Sequence, residues 1–124
     1  MDNSNKHLVF VYGTLKRGYR NNHYLKDAIF VGDAETCEKY LMRRHSYDYP
    51  AVIEYISNCT IHGELYLIND FKLLDRLEGT PDLFYRKEIS IVRDAQVLNA
   101  WMYFYADRKD SRDELREQIK EWKE

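Results

Sequence analysis

"LVFVYGTLKRG", Leu8 to Gly18, carries four apolar residues and a tyrosine into a glycine and then into two cations. The run Leu8 to Tyr12 reads as a buried β-strand, because a short continuous apolar segment bounded by a turn signal fits a strand of a covered sheet. Gly13 permits a tight turn at the strand's end that a Cβ would obstruct. A turn there can aim successive backbone N–H groups into one concavity suited to a carboxylate or an oxyanion. The glycine pattern is neither a phosphate-binding P-loop nor a dinucleotide fingerprint. Lys16 and Arg17 read either as cations steering an anionic substrate or as solvated loop charges.

Outward from this stretch the chain alternates strand signals with few helical ones. Residues 20–26 read as a short helical or turn segment directing Tyr24 and Leu25 inward, and residues 29–40 as strand-like. Tyr49 to Ile53 begins with Pro50, which suits a strand's start or an edge. Ile61 to Ile68 alternates with period two, placing Ile61, Gly63, Leu65 and Leu67 on one face. Gly63 would there admit a close backbone approach.

Asn69-Asp70 offers an N-cap for a two-turn helix over residues 71–78, closed by Gly79 at the C-cap. Residues 86–94 and 97–105 form two β-rich runs joined by a hairpin turn at 94–96. Ser111 to Glu114 has the form of a capping box and predicts a C-terminal helix over about 111–124, docked by Leu115, Ile119 and Trp122. Strands without regular crossover helices predict an α+β fold, a small mixed or antiparallel β-barrel with flanking short helices.

At 124 residues the chain has the length of one domain, 1–124. A net charge of -2 disfavours nucleic acid and other polyanions as partners. Apolar runs stay far below the roughly 20 residues that span a bilayer, and the polar N-terminus lacks a signal peptide's apolar stretch, so the expected location is cytoplasmic, with no membrane partner. Cys37 and Cys59 match neither a redox pair nor a zinc knuckle, and the four histidines lack ligand spacing, so no metal site is expected. Arg43-Arg44-His45 among Tyr40, Tyr47 and Tyr49 superficially suits RNA stacking, but the net charge favours an exposed loop. There are eleven tyrosines; their apolar bodies and polar tips suit a wet-rimmed pocket as well as a core edge.

Glu78 is misplaced for a solubilising glutamate. At 100° per residue it flanks the apolar face made by Phe71 and Leu74, whereas Lys72, Asp75 and Arg76 take the polar side. It also lies in the last turn, where the helix dipole disfavours a carboxylate. Burial and dipole together would raise its pKa, as a general acid or base requires. The alternative is a frayed end whose glutamate turns to water or pairs with Arg76, Arg86 or Lys87.

Together, "FVYGTLKRG" at 10–18, "YPAVI" at 49–53, "HGELYLI" at 62–68 and "LLDRLEGTPDLFYRKEISIV" at 73–92 resemble the γ-glutamylcyclotransferase-like (AIG2-like) family, and within it the γ-glutamylamine cyclotransferases. The resemblance covers roughly residues 7–105 and excludes the C-terminal helix. It implies a small barrel enclosing a pocket, a small-molecule γ-glutamyl substrate and no cofactor. Tyr12, Gly13, Thr14 and Leu15 correspond to the family's substrate-binding loop and Glu78 to its catalytic acid/base. Tyr85 then stands as a pocket residue and Arg86 as a structural one. The implied reaction converts a γ-glutamyl amine to 5-oxoproline and free amine. Two alternatives stay open: a cyclotransferase for γ-glutamyl amino acids or a γ-glutamyl protecting group, and a non-catalytic binding protein that retains the pocket.

Overall fold

The computed structural model of the chain describes residues 6–44, 50–53, 59–106, 119 and 121–123. In chain order the elements are β1 (His7–Val11), a 3-10 turn (Asn22–Leu25), β2 (Ile29–Thr36), β3 (Leu41–Arg44), β4 (Pro50–Ile53), β5 (His62–Ile68), α1 (Lys72–Glu78), β6 (Phe84–Arg93) and β7 (Gln96–Tyr105). Five strands close into a barrel of order β1-β5-β2-β6-β7, and β3 with β4 forms a separate two-stranded sheet. The barrel pairings are antiparallel except where β1 meets β7 in parallel, with Val9 opposite Trp101. The α+β barrel expected from the sequence is therefore the architecture found.

Strand alternation explains why the barrel has two cores. Phe10 of β1, Leu65 of β5, Ala34 of β2, Ile91 of β6 and Met102 of β7 meet in one cluster, which fills the interior. The intervening residues Val9, Tyr66, Phe84 and Tyr103 form a second cluster with Phe71 and Leu74, so α1 covers the outside of the barrel. Strands buried on both faces carry apolar side chains at nearly every position, which is why β1 and β7 read as continuous apolar runs.

Several boundaries differ from the sequence reading. β2 stops at Thr36 instead of Tyr40. Helix α1 starts at Lys72, one residue late. Asp70 acts from outside as an acceptor for the Lys72 N–H (2.9 Å), and the cap position is Phe71, without a side-chain bond. Gly79 ends α1 in the left-handed region, as its C-cap position requires. The β6–β7 hairpin turns on only two residues, Asp94 and Ala95, both with positive φ, a conformation matching the twist of the flanking strands.

The predicted C-terminal helix lies mostly outside the described residues; 119 and 121–123 are described and are not helical. Ile119 donates its N–H to Met42 O (2.9 Å), and Trp122 is buried. The Arg43-Arg44-His45 stretch lies partly outside the described residues, as do Tyr47 and Tyr49.

Candidate active site

The segment after β1 is a tight turn, closed by Lys16 N–H to Gly13 O (3.1 Å). A second layer fixes it. Asn21 bonds Thr14 twice, N–H to O (2.9 Å) and Nδ2 to Oγ1 (2.8 Å), and Asn22 Nδ2 donates to Leu15 O (2.8 Å). With these bonds in place, the N–H groups of Gly13, Thr14 and Leu15 donate to no acceptor among the described residues. Gly13 packs against Pro50 of β4 so closely that a Cβ would lie 2.9 Å from Pro50 Cγ. Close packing, more than backbone torsion, is the reason for glycine here.

This loop walls a cavity of about 190 Å³ between the end of β1, the C-terminal turn of α1 and the start of β6. Its volume lies below the roughly 300–1,000 Å³ typical of drug-sized sites, so it suits a group about the size of one amino acid. Tyr12, Gly13, Thr14 and Leu15 line one side, and Leu77, Glu78 and Leu83 the other. Glu78 and the loop, sixty-odd residues apart in sequence, thus share one cavity.

Glu78 is half-buried, and its carboxylate takes no hydrogen bond or ion pair among the described residues. Burial, uncompensated by a partner, raises its pKa from 4.5 to about 7. Of the three partners that the sequence offered, Arg76, Arg86 and Lys87, Arg86 is engaged elsewhere: its Nε lies 3.0 Å from Asp75 Oδ1, and its guanidinium stacks 3.9 Å from the Phe71 ring centroid. Asp75 does not take the solvated side of α1 that the helical wheel assigned. It also accepts the Tyr103 hydroxyl (2.6 Å), tying the helix to β7 and holding Glu78 over the cavity. Burial and this bond raise the pKa of Tyr103. Tyr12, buried at the cavity and donating to Tyr103 O (2.9 Å), is raised by burial and then by the Glu78 charge.

Two sequence readings are corrected here. Tyr85 is not among the cavity-lining residues. Cross-strand partners share a face, and Tyr85 pairs with Phe104, stacking on it at 5.7 Å, so it belongs with the barrel-interior cluster. Tyr103, one register position along the same strand pair, lines the cavity together with Tyr12. Lys16 is neither a steering nor a solvated cation: it is 6% exposed and donates to Trp122 O (2.7 Å). Arg17 is exposed, stacked on Phe30 and near Glu64 and Asp33, away from the cavity.

Sequence reasoning missed Arg20, Asn21, Pro50 and Tyr103 as cavity residues. The repeated asparagines at 21 and 22 were the one available signal, because adjacent amides after a glycine turn often bond its backbone. Among the described residues no group of three His, Cys, Asp or Glu side chains is arranged to hold a metal, and Cys37 and Cys59 are not joined in a disulfide. No helix among them is long and apolar enough to cross a membrane.

Comparison with known proteins identifies the family and the fold. A protein of Methanocaldococcus jannaschii named "Putative gamma-glutamylcyclotransferase" is 42% identical over 103 residues, covering 80% of this chain and 84% of its own length. Gamma-glutamylaminecyclotransferase A of Danio rerio is 36% identical over 92 residues, covering 67% of this chain and 57% of its own. The crystal structure of an AIG2-like protein from Mus musculus superposes with a TM-score of 0.84 at 20% identity, covering 95% of this chain and 88% of that one, which shows a shared fold. The family described as "Gamma-glutamyl cyclotransferase, AIG2-like" matches residues 9–124, and the chain belongs to it.

Proposed function

We propose that this protein is a γ-glutamylcyclotransferase that cyclises the γ-glutamyl group of a γ-glutamyl amine to 5-oxoproline and releases the amine. One observation carries the reading: the Glu78 carboxylate, raised to about 7 and without a partner among the described residues, shares a small cavity with three backbone N–H groups that donate to no acceptor among those residues. Family membership narrows the chemistry to which such a site would be put.

The reaction needs little machinery. In a γ-glutamyl amide the α-nitrogen is tethered to its own γ-carbonyl, so holding the chain curled gives the attack a high effective molarity. Ionised Glu78 takes a proton from the α-ammonium, and the freed amine attacks the carbonyl carbon of the γ-amide. The N–H groups of residues 13–15 stabilise the oxyanion or hold the glutamyl carboxylate. Collapse breaks the bond to the leaving nitrogen, which Glu78 protonates. Two protons leave the attacking nitrogen as ammonium becomes lactam N–H, and two reach the leaving nitrogen as amide becomes ammonium. One carboxylate that takes and returns protons therefore ends unchanged. A pKa near operating pH suits both halves of this traffic.

The test is incubation with γ-glutamyl-ε-lysine and γ-glutamyl-alanine while 5-oxoproline is followed by chromatography. Release from at least one is expected; silence on every γ-glutamyl amide sinks the reading. Gly13→Ala is expected to lower kcat/KM about 100-fold with an unchanged far-UV spectrum, because the new methyl meets Pro50 and displaces the loop by a fraction of an ångström to an ångström. Wild-type turnover in that variant would show that the loop does not position the substrate.

A further inference from the structure

We propose that the C-terminal tail around Ile119 and Trp122 is a strap whose seating holds the substrate loop in its binding geometry, with Lys16 as the positioning residue that joins the two. The proposal goes beyond the cyclotransferase reading and rests on it for the role of residues 12–15. Lys16 serves loop and tail with different atoms. Its N–H closes the turn on Gly13 O (3.1 Å), and its buried ammonium donates to Trp122 O (2.7 Å). Consecutive residues look to opposite sides here: Leu15 lines the cavity that holds Glu78, and Lys16 lines a second cavity of about 200 Å³ behind the loop. What grips the Lys16 side chain from behind therefore sets the backbone in front.

The strap is anchored at both ends. Ile119 donates its N–H to Met42 O (2.9 Å) at β3, and Trp122 is buried. The Trp122 carbonyl takes a second donor, the Tyr19 hydroxyl (3.2 Å), and the Tyr19 N–H bonds Lys16 O (3.0 Å), so the turn at 16–19 grips one carbonyl from two sides. A carbonyl oxygen has a lone pair for each. Burying an ammonium is costly unless it is hydrogen-bonded, and burial pushes the Lys16 pKa down. Unseating Trp122 takes that cation's acceptor away, and the loop must shift for the ammonium to reach water. A shifted loop binds substrate only in the fraction of molecules that reseat it, so apparent affinity falls by that fraction while the bound state is unaltered.

Lys16→Met keeps an unbranched stem and removes the donor. Its KM for a γ-glutamyl amide turned over by the wild type is expected to rise about tenfold with kcat changed less than about twofold, because bound substrate reseats the loop. Tyr19→Phe should raise KM by a smaller factor, since the Lys16 bond remains. Coupling between sites is reciprocal, so a ligand in the cavity must in turn stabilise the strap. With 5-oxoproline at a concentration that blocks about nine-tenths of wild-type turnover, exchange of the Ile119 N–H, followed by NMR, is expected to slow several-fold, because that amide reports opening of the strap. A merely structural Lys16 would lower Tm on substitution and move neither KM nor the ligand dependence of Ile119 exchange. An unchanged KM in folded Lys16→Met, or Ile119 exchange in the wild type indifferent to 5-oxoproline, overturns the strap and leaves the cyclotransferase reading intact. If Lys16→Met does not fold, the wild-type exchange measurement decides alone. A wild type that forms no 5-oxoproline from any γ-glutamyl amide overturns that reading and this one with it.

Discussion

Glu78→Gln is expected to reduce 5-oxoproline release by about 10²–10⁴-fold, the range associated with loss of a positioned general acid/base. The amide is close to isosteric with the carboxylic acid but can neither take nor return a proton, so kcat should fall with KM little changed. In the wild type, kcat/KM should rise with pH through about 7 as the carboxylate ionises. The same substitution should stabilise the fold, with a defined pH dependence. The folded-state pKa is raised above the ordinary value of 4.5, so the carboxyl's favourable contribution is fully present below about 4.5 and lost as pH rises through about 7. Above that, keeping the ionised group buried costs up to about 3 kcal/mol. Urea denaturation should therefore find Glu78→Gln more stable than wild type at pH 8.5 and nearly equal to it at pH 4. A variant with wild-type turnover, or a stability difference that ignores pH, would show that Glu78 is a solvated helix end.

The local features of this fold were readable because each rests on a few neighbouring residues. Alternation over 61–68 marks β5, Gly79 marks the end of α1, and the break at Gly13 marks the end of β1. Closure of the barrel was less specific in the sequence, since it depends on Val9 meeting Trp101 in a parallel contact that no local pattern encodes. The misplacement of Tyr85 has a related cause. Strands β6 and β7 are apolar on both faces, with Phe84, Tyr103 and Tyr105 on one and Ile89, Met102 and Phe104 on the other, so periodicity could not say which faces the cavity. Lys16 reads as solvent-exposed in any local window. Its burial depends on the Trp122 carbonyl, 106 positions away. Glu78 was legible for a converse reason: the helical wheel and the dipole both disfavour a charge there, and its carboxylate indeed lacks a partner among the described residues.

Gly63→Ala is expected to be the most destabilising single methyl addition in the barrel. Gly63 sits on β5 between β1 and β2, opposite Ala34, and a Cβ at this position would lie 2.4 Å from Val11 O and 2.7 Å from Phe10 Cζ. The ring tip has some freedom, but the carbonyl belongs to a strand paired on both sides, so relief requires β1 to move. Overpacking of this kind costs about 3 kcal/mol, the upper end for an inserted methylene. For a chain of this length that lowers Tm by roughly 10 °C. Gly18→Ala is the internal control: its φ is +81° but nothing lies within 4 Å, so only left-handed backbone strain of about 1 kcal/mol is added. Phe10→Leu combined with Gly63→Ala separates the two contacts. If the carbonyl is the hard obstacle, removing the ring tip recovers little of the loss in a double-mutant cycle, whereas recovery of most of it would assign the close approach to Phe10. Because Val11 leads directly into Tyr12 and Gly13, the displacement of β1 should also reach the cavity. Gly63→Ala protein that remains folded should then lose kcat/KM as well as stability, although residue 63 does not line the cavity.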